Sequence, residues 1–261
     1  MNPREASRRR ATDELIDSVA LEEFEAFHGE VKLPPVAVVI AAYKEVDNIA
    51  NVMAALPAKL CGLDAAAIVV IDGEEDGAAA IVRAAGGYAV IAPVNRGQGA
   101  ALRLGYRVAR DYGATYIVTA DADGQSDPAD LAVVLSPVVA GEADFVNGSR
   151  RLGRTESSDQ VRNLGVVVYA TIISALCGTT VTDPANPIRA MRAALSATLT
   201  LEEPQYQASE LLISAILSGA RFAEQPVTMR ARTAGASKKG GNLAYAYRYG
   251  KVVARTYLRE R

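Results

Sequence analysis

Asp121 and Asp123 stand two positions apart in the run Asp121-Ala122-Asp123-Gly124-Gln125, directly after the apolar stretch 115–120. In a strand or at its exit, residues two apart face the same side. Two carboxylates so placed repel each other unless a cation joins them, and a hard divalent ion shared with phosphate oxygens suits the pair. Gln125 brings an amide oxygen to the same turn. The competing reading is a solvated acidic turn or a helix cap, because Asp127-Pro128 starts a helix.

Other polar clusters could serve the same chemistry. Asp72 and Asp76 flank Gly73-Glu74-Glu75, which is either an acceptor of hydrogen bonds from a base or ribose or a glycine-containing acidic loop. Asn95-Arg96-Gly97-Gln98-Gly99 opens a helix. Its glycines let backbone approach a ligand, and a helix N-terminus favours anions, although an ordinary loop has the same composition. Arg150, Arg151, Arg154 and Arg162 precede an uncharged helix. They read as a phosphate clamp beside an apolar surface or as a solvated face; arginine's fixed fork of donors suits phosphate oxygens. Arg230, Arg232, Ser237, Lys238 and Lys239 form a second basic group, which either closes over a diphosphate or is an exposed loop. Glu210 is the candidate general base, against a plain reading as a helix-surface carboxylate.

These residues need a frame that brings them together. Short apolar runs at 36–42, 67–72, 88–92, 115–120 and 144–147 alternate with helical patterns at 48–56, 77–85, 100–112 and 130–139. Strands alternating with helices of about ten residues imply βαβ units and a mostly parallel sheet flanked by helices. In such sheets ligands bind beyond the carboxyl ends of the strands, and 43–45, 72–76, 95–99 and 121–125 all fall there. The second half is less regular, with helices expected at 163–177, 207–218 and 243–258 and a strand at 221–230.

The chain has 261 residues, half of them apolar, which suits one substantial α/β core. The expected organisation is a solvated, partly helical tail over 1–32, one domain over 33–241, and a basic Tyr/Arg-rich helix over 242–261. With 22% charged residues and a net charge of −2, the chain as a whole is neither disordered nor a nucleic-acid binder. Residues 221–261, with ten basic and two acidic side chains, are suited to phosphates or an anionic surface. His28 is the only histidine, which argues against triad and zinc hydrolases. Cys61 and Cys177 have no paired spacing and read as buried thiols. The apolar stretch 164–177 would form a helix of about 21 Å, short of the ~30 Å hydrocarbon core, so it reads as buried or interfacial. No apolar segment follows Arg8, Arg9 and Arg10, so the expected location is cytoplasmic, with peripheral contact at the membrane face as a further reading.

The assembled residues resemble the family 2 glycosyltransferases, and within them the polyprenyl-phosphate (dolichyl-phosphate mannose synthase-like) branch, from about Val36 to about Lys239. Val38 to Glu45 resembles the family's first strand and turn, Asn95 to Ala101 its N-x-G-x-G-x-A stretch, and Asp121 to Gln125 its D-x-D motif with trailing Gln. Gly148-Ser149-Arg150, Asp183-Pro184 through Arg189-Ala190, Glu224-Gln225-Pro226-Val227 and Gly235-Ala236-Ser237-Lys238 resemble further motifs in the family's order. The resemblance implies a GT-A (Rossmann-like) fold, a nucleotide-diphosphate sugar donor such as GDP-mannose or a UDP-sugar, Mg²⁺ or Mn²⁺, and inversion at the anomeric carbon. It implies metal binding by Asp121, Asp123 and Gln125, with Ala122 between them. It implies donor contacts from Ala42, Tyr43, Glu45, Asp72, Asn95, Gly97, Gln98 and Gly99. Arg150 and Arg162 match acceptor-phosphate positions, and Lys238 matches a donor-phosphate contact. The chain departs from the family where Asp72-Gly73 replaces an acidic pair and Pro187-Ile188 replaces Gly-Phe.

Direct displacement is the expected mechanism, with Arg96 and Lys238 assisting at the leaving diphosphate. A hydroxyl acceptor needs a general base, whereas a phosphate monoester, mostly dianionic at pH 7, does not. That difference favours a polyprenyl phosphate. The alternatives are a soluble transferase acting on a hydroxyl, with Glu210 essential, and a non-catalytic nucleotide-sugar binder. An Asp-nucleophile phosphatase would place the D-x-D-G motif on the first strand.

Overall fold

The computed structural model describes residues 3–73, 76–155, 160–230 and 242–261. The first half alternates strand and helix as its apolar runs require: β1 (Val36–Ala42), α2 (Val46–Ala55), a short β2 (Lys59–Leu60), β3 (Leu63–Asp72), α3 (Ala78–Ala84), β4 (Tyr88–Ala92), α4 (Gln98–Asp111) and β5 (Tyr116–Asp121), preceded by α1 (Pro3–His28). The second half runs α5 (Pro128–Val139), β6 (Phe145–Thr155), α6 (Gln160–Cys177), β7 (Arg189–Arg192), α7 (Ala193–Thr198), α8 (Gln207–Leu217), β8 (Phe222–Met229) and α9 (Asn242–Glu260).

The strands form one sheet in the order β2-β3-β1-β5-β7-β6-β8, with β4 also on β3. The β1, β3 and β5 runs are continuously apolar because helices cover both faces, as parallel strands require. Their side chains alternate between two cores: Ala37 and Val39 pack with Phe24, Leu104 and Leu212, while Val38 and Ile40 pack with Ile49, Val82 and Leu135. The register brings the carboxyl ends level. Ala42 faces Ile71, Asp72 faces Ala92, and Ala41 faces Asp121.

One expectation is refined and one is corrected. The sheet is parallel at β4-β3-β1-β5 and at β6-β8, as expected, and becomes mixed where β7 lies antiparallel between β5 and β6. Its four residues Arg-Ala-Met-Arg carry too little apolar pattern to read as a strand, and only its neighbours on both sides make it one. Nor is 1–32 a solvated tail. Within α1, Ala20 and Phe24 are fully buried, and the Phe24 ring contacts those of Tyr88 and Tyr112. Glu23 pairs with Arg83, and Tyr112 donates to Glu25. His28 is held below its ordinary pKa, chiefly by burial and also by the Arg83 charge. Polar residues dominate the composition of α1, which hides its buried positions from the sequence. The C-terminal helix α9 likewise packs on the domain, burying Tyr249, Val252, Val253 and Thr256.

Phe24→Ala is therefore expected to cost about 3–5 kcal/mol of unfolding free energy, as for a buried aromatic side chain. Urea denaturation checks this; a change within ~0.5 kcal/mol, as for a surface substitution, would detach α1 from the cooperative core.

Candidate active site

The end of β5 delivers Asp121, and the turn after it returns the chain to α5 through Asp127, whose carboxylate caps the Ala129 amide at 3.1 Å. The two aspartates are not equivalent. Asp121 borders a crevice with Gln125, Asn186, Pro187, Ile188 and Met229. Asp123, in the turn that follows, does not line it and is 8% exposed, with Oδ1 accepting from the Gln125 amide at 3.1 Å. Ala122 is buried between them. From the N-terminus of α4, Gln98 Nε2 donates to Asp121 Oδ1 at 3.2 Å. Gln125 turns its amide nitrogen to the Arg230 carbonyl, which leaves Oε1 as its only cation-binding atom. Arg230 also closes the turn, with its amide on the Gln125 carbonyl and its guanidinium 2.5 Å from Asp127.

Among the described residues no group of three or more His, Cys, Asp and Glu side chains is gathered for a metal. A donor set of two carboxylates and one amide oxygen is too small to enclose a cation. It fits an Mg²⁺- or Mn²⁺-type ion that takes its remaining oxygens from water and substrate phosphates.

Asp72 ends β3, almost fully buried, and both of its oxygens are used: Oδ1 accepts from the Arg96 amide at 3.0 Å and Oδ2 from the Gly97 amide at 2.7 Å. Asn95 returns a bond to the Asp72 carbonyl at 3.1 Å. Burial raises the Asp72 pKa, opposed by those two amides and by the Arg96 and Arg103 charges. Its carboxylate thus shapes the 95–99 loop and is not held out toward a nucleoside. Asp76 similarly caps α3 through the Ala78 amide, and Glu74 and Glu75 lie outside the described residues.

The glycines of that loop serve a different neighbour from the one expected. A Cβ on Gly99 would lie 2.0 Å from the Glu203 carbonyl oxygen, and one on Gly97 would lie 2.6 Å from that of Pro204. The close approach is to this chain segment, which also accepts the Gly99 amide at 2.8 Å. Arg96 does not reach toward a diphosphate either. Its side chain turns to α1, where Asp17 holds it at 2.5 Å and Asp13 at 3.3 Å. At the end of β1, Ala42 is buried and Tyr43 is exposed, with the Lys44 ammonium over its ring. Glu45 stands at the N-cap of α2, its carboxylate accepting from the Asn48 side-chain Nδ2 at 2.8 Å.

The second half supplies a basic pocket. A cavity of about 310 Å³ is lined by Arg150, Arg151, Thr155, Val166 and Asp183. The Arg150 fork is not simply open to a phosphate: Nε and Nη2 grip the buried Asp183 carboxylate at 2.6 and 2.7 Å. Its Nη1 faces Met229 Sδ at 3.2 Å, and Met229 also lines the Asp121 crevice, so the two openings share a wall. Glu224 orders the floor, accepting from Asn147, from the Thr182 amide and hydroxyl, and from the Asp183 amide. Arg189 is buried, donating to the Asn186, Pro184 and Ala208 carbonyls, and burial pushes its pKa down to about 10. Asp183, Glu224 and Arg189 appear in the sequence only as members of motifs. The one signal of their role is an isolated charge inside an apolar run, as Glu224 is in β8.

Glu210 is corrected in both of its readings. It is fully buried rather than on a helix surface, and its oxygens accept from the Glu202 and Glu203 amides and from Arg259. Those bonds occupy it and remove it as the general base. Arg162 sits on α6 with its side chain outside the described residues, and Lys238 lies outside them altogether, as do Arg232, Ser237 and Lys239.

Residues 37–199 match the family described as Glycosyl transferase family 2. A dolichyl-phosphate hexose transferase of Haloferax volcanii is 29% identical over 232 residues, 89% of this chain and 98% of that protein. A UDP-N-acetylglucosamine–dolichyl-phosphate N-acetylglucosaminyltransferase of Methanococcus voltae is 32% identical over 138 residues, 51% of this chain and 55% of that one. The glucosyl-3-phosphoglycerate synthase of Mycobacterium tuberculosis, crystallised with Mn²⁺, UDP and glucosyl-3-phosphoglycerate, superposes with a TM-score of 0.65 at 21% identity, covering 92% of this chain and 83% of that one. At that identity the likeness establishes the GT-A fold.

Asp72→Asn would set an amide N–H₂ against one of two backbone donors. It is expected to destabilise the protein by about 1–3 kcal/mol, the range for a buried donor left unsatisfied. Thermal denaturation measures this, and an unchanged melting temperature would deny Asp72 its role in shaping the loop.

Proposed function

This chain belongs to glycosyl transferase family 2, and we propose that it transfers a sugar, with inversion, from a nucleotide-diphosphate sugar to a polyprenyl phosphate. The observation that carries the reading is the placement of Asp121 at the carboxyl end of β5, with Asp123 in the turn after it, beside a crevice whose Met229 contacts Arg150 of the basic pocket. Donor and acceptor phosphates thereby meet across one wall.

Asp121 and Asp123 would hold Mg²⁺ or Mn²⁺, which supplies Lewis-acid neutralisation of charge on the departing diphosphate. Gln98 steadies Asp121 from the N-terminus of α4, whose own amide dipoles favour a phosphate nearby. Pro187 and Ile188, which replace the family's Gly-Phe, form the facing side of the crevice and so bear on acceptor choice. The burial of Glu210 supports a phosphate acceptor over a hydroxyl, because a phosphate monoester needs no base to act as nucleophile. The names of the two archaeal relatives support the same acceptor.

A lipid acceptor also asks for a surface that meets the membrane. The exposed positions of α6 (Leu164, Val168, Thr171, Ile172 and Ala175) are uncharged and lie on one stripe. The helix packs on α9 through Tyr169, which donates to the Ala246 carbonyl at 2.5 Å, and α9 exposes Tyr247, Arg248 and Lys251 beside it. Apolar side chains, tyrosine and cations together suit an anionic lipid interface. No helix among the described residues is long and apolar enough to cross a membrane, so the contact proposed is peripheral.

Nucleotide sugars assayed with Mg²⁺ or Mn²⁺, with and without polyprenyl phosphate, are expected to release nucleoside diphosphate only when the lipid phosphate is present. Release onto a soluble hydroxyl acceptor would overturn the acceptor assignment. Asp121→Ala should lower turnover at least about 100-fold without changing the circular dichroism spectrum, the scale seen when charge stabilisation is removed from a transition state. Unimpaired turnover would remove the metal reading. Co-sedimentation with vesicles containing anionic lipid should exceed that with neutral vesicles and fall in high salt, and no sedimentation at all would count against α6 and α9 as the membrane face.

A further inference from the structure

Arg96 points two ways at once. Its backbone amide binds Asp72 inside the site, while its guanidinium, 8% exposed, leaves the site for α1. There Asp17 holds Nη2 at 2.5 Å, and the Asp13 carboxylate and carbonyl hold Nη1 at 3.3 and 3.1 Å. Asp13 also lies 3.5 Å from Arg103, one turn and a half along α4, and Arg103 donates to the Glu203 carbonyl at 3.2 Å. Glu203 belongs to the segment on which Gly97 and Gly99 pack, and Arg255 of α9 holds its carboxylate at 2.7 Å. The 95–99 loop is therefore gripped from one side by α1 and from the other by the 202–204 segment. Both grips lie outside the 37–199 stretch that matches the family.

We propose that Asp13 and Asp17 are positioning residues for the donor: through Arg96, the N-terminal helix fixes the 95–99 loop in the shape that binds the nucleotide-diphosphate sugar. This rests on the reading of that loop as part of the donor site. The physical reason is that a carboxylate pair around one largely buried guanidinium is a stiff connection. Arginine's planar fork loses little freedom in forming it, and breaking it leaves a cation with few alternatives in a water-poor place. The loop's other anchors are the amide bonds to Asp72, the Asn95 side chain on the Asp72 carbonyl, the Gly99 amide on Pro204 and the Gln98 contact with Asp121, and none of them holds the Arg96 side chain. A loop that wanders would raise the cost of ordering it at each donor-binding event and would leave the chemical step on a bound donor largely unchanged.

The test compares the full-length D13N/D17N variant with E23Q, which breaks the Glu23–Arg83 pair on the same helix away from the loop, and with D17E, which keeps the charge. Two readouts are needed: amide hydrogen exchange at residues 95–99, and KM and kcat for the donor found in the nucleotide-sugar panel. D13N/D17N is expected to speed exchange at 95–99 and to raise the donor KM about tenfold with kcat held within about threefold. E23Q should leave both readouts unmoved, and D17E should keep both close to the unsubstituted protein. Unchanged exchange in D13N/D17N would overturn the connection itself, whatever the protein's donor. Faster exchange with an unchanged KM would overturn the role assigned to that connection in donor binding. An equal rise in KM from E23Q would reduce the effect to general loosening of α1. If D13N/D17N does not fold, D17N alone carries the same two readouts.

Discussion

The site depends on a carboxylate that need not touch any substrate. Asp72 stands at the carboxyl end of β3, and its two oxygens take the amides of Arg96 and Gly97. A buried carboxylate is tolerable only when its lone pairs are filled, and consecutive backbone N–H groups fill both at once. That exchange sets the conformation of the 95–99 loop. The loop conformation sets where α4 begins, and α4 begins with Gln98 on Asp121. One buried charge at the end of one strand thereby orients Asp121, the side chain proposed to hold the cation, at the end of another.

The other half of the site is built on the same rule with the signs arranged differently. The Asp183 carboxylate is fully buried and is satisfied by the Arg150 guanidinium and backbone amide, the Asp183 amide donates to Glu224, and Arg189 is buried among carbonyls. Bidentate geometry is what makes the Arg150–Asp183 pair stiff enough to serve as a wall. Its consequence is that the cavity presents an arginine already partly neutralised, beside the exposed Arg151, and not a bare cationic fork. A phosphate bound there would meet a polar, directional surface whose guanidinium planes are held in place before it arrives, which lowers the ordering cost of binding.

Around these two halves the chain termini act as a frame. Several of their arginines are committed to the 202–210 segment or to each other's helix: Arg10 with Glu202, Arg255 with Glu203, Arg259 with Glu202, Glu210 and Glu260. Among the described residues, the basic excess of the C-terminal region is thus partly internal, while Arg248 and Lys251 on α9 stay exposed.

From its pattern alone the sequence determined the first half of the fold and the sheet edge where its polar turns gather. Runs such as Val36–Ala42 must be covered on both faces, and alternation with helices forces parallel neighbours, so the polar turns after them had to collect at one edge. The D-x-D spacing and its order among the other motifs pointed to the family in the same way, because such features are local. What only the tertiary structure decided was which partner each polar side chain took. Arg96 and Arg150 looked like phosphate ligands and are held by Asp17 and Asp183; Gly99 looked like a ligand cradle and admits Glu203; Glu210 looked like a base and is a buried anchor for Arg259. The antiparallel β7 and the docking of α1 were equally out of reach. Periodicity reports how a residue is buried, but a hydrogen bond between residues 80 or 100 positions apart depends on how the layers pack, and no local spacing encodes that.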